Sequence, residues 1–131
     1  KNKNLRVSKI DKIIAQFGFD TILNVKAKNV SGGERRKLAI GMAIINDPEI
    51  LLLDEPMEGL APIIVQELLG VIRRLVHETG LTVIVVEQHA RLALGLTDQA
   101  IVLDRGQIVH QSTSQSLLDE PETLDRLVAV A

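Results

Sequence analysis

The sequence of 131 residues contains no cysteine, tryptophan or tyrosine, and its aromatic residues are limited to Phe17 and Phe19. The lack of cysteine excludes disulfides, thiol catalysis and zinc sites built on thiolates. The shortage of aromatic rings argues against a nucleic-acid partner bound by base stacking. The apolar runs, such as Ile50–Leu53 and Thr82–Val86, are far shorter than the roughly 20 residues that span a bilayer. No secretory signal opens the sequence, so we expect an intracellular location.

The net charge of −2 hides an uneven distribution of charged residues. Residues 1–37 contain ten Lys/Arg and three Asp/Glu, whereas residues 38–131 contain five Arg and fourteen Asp/Glu. Such an asymmetry is found in basic arms that bind anionic surfaces, and in a protein divided where its charges no longer balance. We favour the simpler interpretation, a solvated basic surface.

Hydrophobic periodicity predicts helices that alternate with short strands. Apolar residues recur at helical spacing over 8–19, and a second short helix is compatible with 20–25. The later predicted elements are a helix over 31–46, a strand over 50–53, a helix over 62–79, a strand over 82–86, a helix over 90–96, a hairpin of 99–103 and 107–111, and helices over 113–118 and 121–130. This alternation predicts an α/β fold with a parallel sheet, closed by an antiparallel hairpin.

Two carboxylates follow the first strand directly. The strand is apolar at every position, which is typical of a parallel strand buried on both faces, and it ends in Asp54 and Glu55. Ligands of open α/β sheets bind beyond the carboxyl ends of the strands. One carboxylate there could hold Mg²⁺ and the other could orient or deprotonate a water. Taken alone, however, the pair is more often a simple strand end than a metal site.

The segment Ser31–Glu34 has the pattern of a helix start. Ser31 is a good N-cap, and Glu34 three residues later completes a capping box. The same residues could bind an anion through free backbone N–H groups at the positive end of the helix dipole. Within this helix we expect the apolar residues Leu38, Ala39, Met42 and Ile45 to point inward.

In this order the segments resemble the ATP-binding cassette (ABC) ATPases over roughly residues 5–131. The matching segments are Val30–Glu34 (signature motif), Ile50–Glu55 (Walker B strand and catalytic acid), Glu58–Pro62 (D-loop), Val86–His89 (switch-histidine loop) and Asp104–Val109 (the hairpin that follows it). The resemblance implies a partial P-loop NTPase fold, in which a helical subdomain over 1–48 precedes the C-terminal part of a RecA-like core over 49–131.

The resemblance also implies roles for the signature motif and the Walker B acids. Ser31, Gly32 and Gly33 would contact the γ-phosphate of an ATP held by the opposite subunit, with Glu34 in place of the usual Gln. Asp54 would position Mg²⁺ through water, and Glu55 would polarise the attacking water.

The two remaining motifs depart from the usual family pattern. Gly59, Leu60 and Ala61 would contact the partner's phosphate loop, although many members have Asp where Ala61 stands. The switch histidine aligns with Gln88, which can donate a hydrogen bond but cannot become a cation near neutral pH. His89 lies one residue later and is the weaker candidate for this role.

The phosphate-loop pattern Gly-x-x-x-x-Gly-Lys-Ser/Thr does not occur in these 131 residues. We therefore expect the Walker A half of the fold to be absent and this chain alone to hydrolyse no ATP, hydrolysis being a property of the complete ABC ATPase. The implied ligands are ATP and Mg²⁺. The implied partners are a second ABC ATPase subunit in a head-to-tail dimer and transmembrane permease subunits, at the cytoplasmic face of the inner (plasma) membrane.

Within the family, the subtype is indicated by Pro56, the Gly59–Pro62 run, the Val86–His89 run and the tail Leu124–Ala131. These segments resemble importers of branched-chain amino acids and urea. Ser31–Arg36 is also similar to lipopolysaccharide-export ATPases. The motifs are compatible as well with a non-transport ABC ATPase and with an inactive remnant of the signature half.

Overall fold

The structure, a computed structural model, describes residues 2–130 and the side chains of residues 7–129. In chain order its helices and strands are α1 (Asn2–Phe17), α2 (Gly32–Ile44), β1 (Ile50–Asp54), α3 (Pro62–Thr79), β2 (Thr82–Val86), α4 (Ala90–Leu94), β3 (Gln99–Asp104), β4 (Gln107–Thr113), α5 (Ser114–Asp119) and α6 (Pro121–Val130). The predicted order of elements is confirmed. The segment 20–25 is not the short helix that we considered: it contains the end of a 3₁₀ turn, Phe19–Thr21, and a further turn in which Val25 N–H donates to Ile22 O at 2.9 Å.

The contacts divide the chain into two compact units. The first unit contains the residues up to Leu52 together with Pro56–Ile84, and the second contains Leu53–Glu55 together with the residues from Val85 onward. The division of the family fold into 1–48 and 49–131 does not follow from these units and stays a prediction.

The core of the first unit forms around α3. Pro62 occupies the first helical position, where its missing N–H costs nothing, and Gly80 ends the helix with a φ of 68°. One face of α3 is buried, and Leu68 and Ile72 on that face are fully enclosed. The predicted bounds of this helix are confirmed.

The inward face of α2 differs from our expectation. The buried residues are Gly33, Ile40, Gly41 and Ile44, whereas Met42 is 68% exposed. A Cβ on Gly41 would lie 3.1 Å from Ile13 Cγ2, so glycine lets α2 approach α1 closely. Because apolar residues occur on every side of this part of α2, periodicity alone could not identify the face that packs against the rest of the unit.

The strands β1 and β2 form a parallel pair. Thr82 N–H donates to Glu49 O (3.2 Å) where the strands begin, and Glu55 N–H donates to Val86 O (2.9 Å) where they end. Burial alternates along β1, however: Leu51 and Leu53 are buried, while Ile50 and Leu52 are 59% and 63% exposed. The prediction that these strands are buried on both faces is therefore wrong, because the described residues cover only one face of β1.

The second unit contains the antiparallel hairpin β3–β4. Arg105 and Gly106 at its turn have φ values of 46° and 78°, as a two-residue type I′ connection requires. Helices α4–α6 contribute Leu94, Leu117 and Leu124 to its small core. Among the helices of the described chain, none combines the length and apolar character needed to cross a membrane.

Candidate functional site

Glu55 lies at the end of β1 in an unusual backbone conformation. Its φ is 43°, in the left-handed region that costs an ordinary residue roughly 1–2 kcal/mol. The Glu55 N–H is held by the carbonyl of Val86 on the neighbouring strand. Glu55 thus lies at the carboxyl ends of the two paired parallel strands, where α/β proteins bind ligands.

Gln88 contacts Glu55 directly. Its side-chain amide Nε2 donates a hydrogen bond to Glu55 Oε1 across 33 positions of sequence. The N–H of His89 instead donates to Glu87 Oε2 at 3.3 Å. His89 also lines a groove of about 480 Å³ that α6 residues such as Leu124 complete. The structure thus joins the first of the two switch candidates to the acid; the catalytic role of either residue stays a prediction.

Asp54 is exposed beside Glu55 at the strand end. Among the described residues no group of three or more His, Cys, Asp or Glu side chains could enclose a metal ion. Mg²⁺ usually retains several waters and is held by one or two carboxylates together with substrate phosphates. A single exposed carboxylate therefore fits the way in which this ion is bound with a nucleotide, and does not fit an all-protein metal site.

The start of α2 forms the predicted capping box. Glu34 N–H donates to Ser31 Oγ (3.2 Å), and Ser31 N–H donates to Glu34 Oε2 (2.8 Å). A hydrogen bond with the Ser31 side chain, and next the bond from the Ser31 backbone, lower the pKa of the Glu34 carboxyl below its ordinary value. This end of the helix therefore carries a negative charge among the N–H groups that would otherwise attract an anion.

The D-loop residues lie in the same unit as the start of α2. Gly59 has a φ of 69°, and Leu60 N–H donates to Met57 O at 3.3 Å. The carbonyl of Ala61 accepts from the N–H groups of Ile64 (2.9 Å) and Val65 (3.0 Å) and so caps α3. The loop is thus fixed at both ends by short-range backbone hydrogen bonds.

Gly33 packs directly against α3. A Cβ on Gly33 would lie 2.3 Å from Ile64 Cγ2, which is closer than two non-bonded carbon atoms can approach. One turn further along α2, Lys37 Nζ donates to Glu67 Oε2 at 2.7 Å. Ile64, Lys37 and Glu67 have no signal of their own in the sequence, because only the packing of two distant segments reveals them.

The structure brings the predicted site residues together in two groups. The signature residues Ser31–Glu34 and the D-loop Gly59–Ala61 belong to the first unit, and Asp54, Glu55 and the loop Gln88–His89 belong to the second. The contribution of Val86, whose carbonyl holds the backbone of Glu55, had no signal in the sequence, because any residue can supply a carbonyl.

Comparison with known proteins gives consistent results. The ABC transporter family matches residues 2–58. The high-affinity branched-chain amino acid transport ATP-binding protein BraG of Pseudomonas aeruginosa is 49% identical over 100 residues, which are 76% of this chain and 42% of that protein. The lipopolysaccharide export system ATP-binding protein LptB of Acidithiobacillus ferridurans is 30% identical over 116 residues, 88% of this chain and 48% of that protein.

A solved structure shows the same fold. The protein cbiO1 of Clostridium perfringens, part of the ABC transporter complex cbiONQ, superposes with a TM-score of 0.81 at 22% identity, over 92% of this chain and 48% of that one. The chain spans less than half the length of each of these three relatives. Its fold is that of the ABC ATPase cassettes, as predicted. From the sequence matches and the ordered motifs, the chain belongs to the ABC transporter ATPase family.

Proposed function

We propose that this chain supplies the signature motif, the Walker B acids and the D-loop of an ABC transporter ATPase that couples ATP hydrolysis to solute transport. The observation that carries the proposal is the geometry of Glu55. Its strained backbone is held by Val86, and its carboxylate is held by Gln88, at the ligand-binding edge of a parallel sheet. Backbone strain of this kind is concentrated at functional sites.

Glu55 is the residue that we assign to the attacking water. Gln88 occupies one carboxylate oxygen, Oε1, and restricts rotation of the carboxyl group. The other oxygen then serves to accept a proton from water and to orient it. Since the Gln88 amide does not ionise, it can fix the carboxylate without a charge change of its own near neutral pH.

Asp54 and Ser31 are the residues that we assign to the nucleotide. Asp54 would hold Mg²⁺ through water, and Ser31 with Gly32 and Gly33 would present the positive end of α2 to a terminal phosphate. When bound, ATP with Mg²⁺ supplies the phosphoryl group and the cation that neutralises its developing charge. Because the phosphate-loop pattern does not occur in these 131 residues, the remaining phosphate contacts would have to come from elsewhere.

The partner of this machinery is proposed to be a second ABC ATPase subunit, placed head to tail. In that arrangement Ser31–Glu34 and Gly59–Ala61 would complete the site of the opposite subunit. The transmembrane permease subunits, and a peripheral position on the cytoplasmic face of the membrane, are part of the same proposal. The support is the relationship to cbiO1, which is part of the complex cbiONQ.

The solute is proposed to be a branched-chain amino acid or a related small compound that is imported. The support is the 49% identity to BraG. A lipopolysaccharide-export role is the second candidate, since LptB is 30% identical over a longer stretch of 116 residues. An import assay with radiolabelled leucine, in cells that depend on this chain for the ATPase, would distinguish the two.

The ATPase proposal is tested with the 131-residue chain alone and mixed with a complete ABC ATPase subunit whose own signature serine is replaced by arginine. We expect no turnover and no calorimetric ATP binding by the chain alone. The mixture should hydrolyse ATP in the partner's site, and Ser31→Arg in this chain should remove that turnover because Ser31 completes that site. Glu55 is tested in a chimaera in which the phosphate-loop half of an ABC ATPase precedes this chain, where Glu55→Gln should remove turnover. Glu49→Gln, which makes the same change at the opposite end of β1, is the matched control and should leave the turnover of the chimaera unchanged.

A mixture that binds ATP but never hydrolyses it would favour an inactive remnant of the signature half. Turnover by the chain alone would contradict our expectation that the phosphate-loop contacts must come from elsewhere. Equal turnover of the Glu55→Gln and Glu49→Gln chimaeras would exclude Glu55 as the water-orienting acid.

A further inference from the structure

Helices α2 and α3 touch at two levels near their starts. At the first level, Gly33 contacts the Cγ2 methyl of Ile64 without space for a Cβ between them. At the second level, Lys37 forms an ion pair with Glu67 at 2.7 Å, and the Lys37 side chain is only 14% exposed. All four residues belong to the first unit.

The order of these contacts gives the relative direction of the two helices. Gly33 and Lys37 lie four residues apart on one face of α2, and Ile64 and Glu67 lie three residues apart on α3, so each pair rises by about one turn. The earlier residue of one helix meets the earlier residue of the other. The two helices therefore run parallel, and their N-termini lie side by side.

The loops attached to these N-termini are those assigned above to the nucleotide. Ser31 and Gly32 precede Gly33 directly, and Gly59–Ala61 precede α3. Neither loop needs the other for its own backbone hydrogen bonds, since the capping box and the Ala61 carbonyl supply these locally. What joins the two loops is the side-by-side contact of the helices behind them.

This contact is stiff. Ile64 is β-branched and its Cγ2 methyl is attached to Cβ, so it cannot swing away as the end of a long side chain can. Gly33 has no side chain that could adjust. The ion pair one turn later is largely shielded on the Lys37 side, where screening by solvent is weaker than at an open surface.

We propose that Ile64 and the Lys37–Glu67 pair are positioning residues that hold the Ser31–Gly33 turn and the Gly59–Ala61 loop as one rigid body, so that a displacement of either loop carries the other. This inference rests on the proposed function, because that function gives the two loops their contacts with nucleotide and partner subunit. Its consequence is that engagement of a terminal phosphate by the first loop is passed within one subunit to the second loop.

The rigid contact between the starts of α2 and α3 is tested in the 131-residue chain by backbone amide NMR. Ile64→Leu keeps the number of carbon atoms but removes the Cγ2 methyl that covers Gly33. We expect the amide resonances of Ser31–Glu34 to shift and amide exchange at Glu34 to accelerate. Ile63→Leu, at a neighbouring residue that is 67% exposed, is the matched control and should leave these resonances in place.

A second substitution keeps the test decisive if Ile64→Leu does not fold. Ile64→Val retains Cγ2 and should preserve the wild-type resonances of Ser31–Glu34. The rigid contact would be overturned if the resonances of Ser31–Glu34 did not respond to loss of Cγ2. It would also be overturned if they responded equally to Ile63→Leu. Either result holds whatever the activity of the protein.

The functional consequence is tested in the mixture with the complete ATPase subunit described above. Lys37→Glu places its carboxylate beside that of Glu67 and so separates the two helix starts. We expect kcat to fall by about tenfold with the KM for ATP nearly unchanged, because the substitution misplaces the Ser31–Gly33 turn without removing a group that binds ATP. The exchanged pair Lys37→Glu/Glu67→Lys should restore kcat. Lys9→Glu, which breaks an ion pair with Asp47 elsewhere in the first unit, is the matched control.

The outcomes separate this inference from the proposed function. A merely structural role would lower the melting temperature of Lys37→Glu without splitting kcat from KM, and that result would overturn the positioning role. A wild-type mixture without turnover would reject the proposed function, while the NMR result would still decide whether the two loops form one body.

Discussion

The start of α2 and the end of β1 are both suited to a phosphate or to the water that attacks it, but different partners hold them in place. At the start of α2, Ser31 and Glu34 satisfy each other within four residues of sequence. At the end of β1, Glu55 depends on Val86, the last residue of β2, and on Gln88 just beyond it. One site is made by local sequence and the other by strand pairing.

This difference has an energetic meaning. The capping box forms whenever the first turn of α2 forms, and it helps that turn to form. The Glu55 turn has an unfavourable φ and persists only where surrounding contacts impose it. We therefore expect the second site to lose its geometry as soon as β1 and β2 separate, while the first site persists as long as its helix does.

The largest expected effect is a difference in the free energy of unfolding between two substitutions of Glu55. Glu55→Gly and Glu55→Ala both remove the carboxylate and its bond from Gln88, but only glycine adopts a positive φ freely. Glu55→Gly should be more stable than Glu55→Ala by about 1–2 kcal/mol, the cost of the left-handed conformation. Urea unfolding of both variants measures this difference, and equal stabilities would show that the turn is not strained.

A smaller effect is expected at the start of α2. Ser31→Ala removes the side-chain acceptor for Glu34 N–H and should lower the free energy of unfolding by about 1 kcal/mol. Ser31→Thr keeps a hydroxyl and serves as the control, with a loss of no more than a few tenths. Chemical denaturation of the three proteins decides the point, and a loss in Ser31→Thr equal to that in Ser31→Ala would contradict the capping role.

The smallest effect concerns pH. Because its hydrogen bonds with Ser31 lower the pKa of the Glu34 carboxyl in the folded protein, its charge contributes stability above the ordinary Glu value of about 4.3. That contribution is lost as the pH falls through the lower folded pKa. Glu34→Gln keeps a side-chain acceptor but cannot ionise, so its stability relative to wild type should rise as the pH falls below the ordinary Glu value and through the lower folded pKa. Parallel acid titrations followed by circular dichroism measure the change, and curves that stay parallel would contradict the shift.

Much of the fold could be predicted because its signals are local. Pro62 and Gly80 mark the two ends of α3, and Ser31 with Glu34 marks the start of α2. The order of strands and helices follows from periods of two and 3.6 residues in the apolar pattern. The Arg105–Gly106 turn likewise carries its own conformational signal.

The features that could not be predicted all depend on distant segments. The inward face of α2 is set by the close approach of Gly41 to α1, and the one-sided burial of β1 is set by which faces the described chain covers. The bond between Gln88 and Glu55 requires the pairing of two strands whose ends the sequence separates by more than thirty positions. The family resemblance indicates both of these residues, but it does not predict their contact.

The open face of β1 and β2 affects how this chain behaves in solution. Ile50 and Leu52 on β1 and Ile84 on β2 present branched carbon side chains to water in neighbouring rows. Such a patch favours association between molecules as their concentration rises, and salts that are excluded from protein surfaces, such as sulfate, strengthen that tendency. Low ionic strength and dilute solutions are therefore the conditions in which this chain is most readily kept as separate molecules.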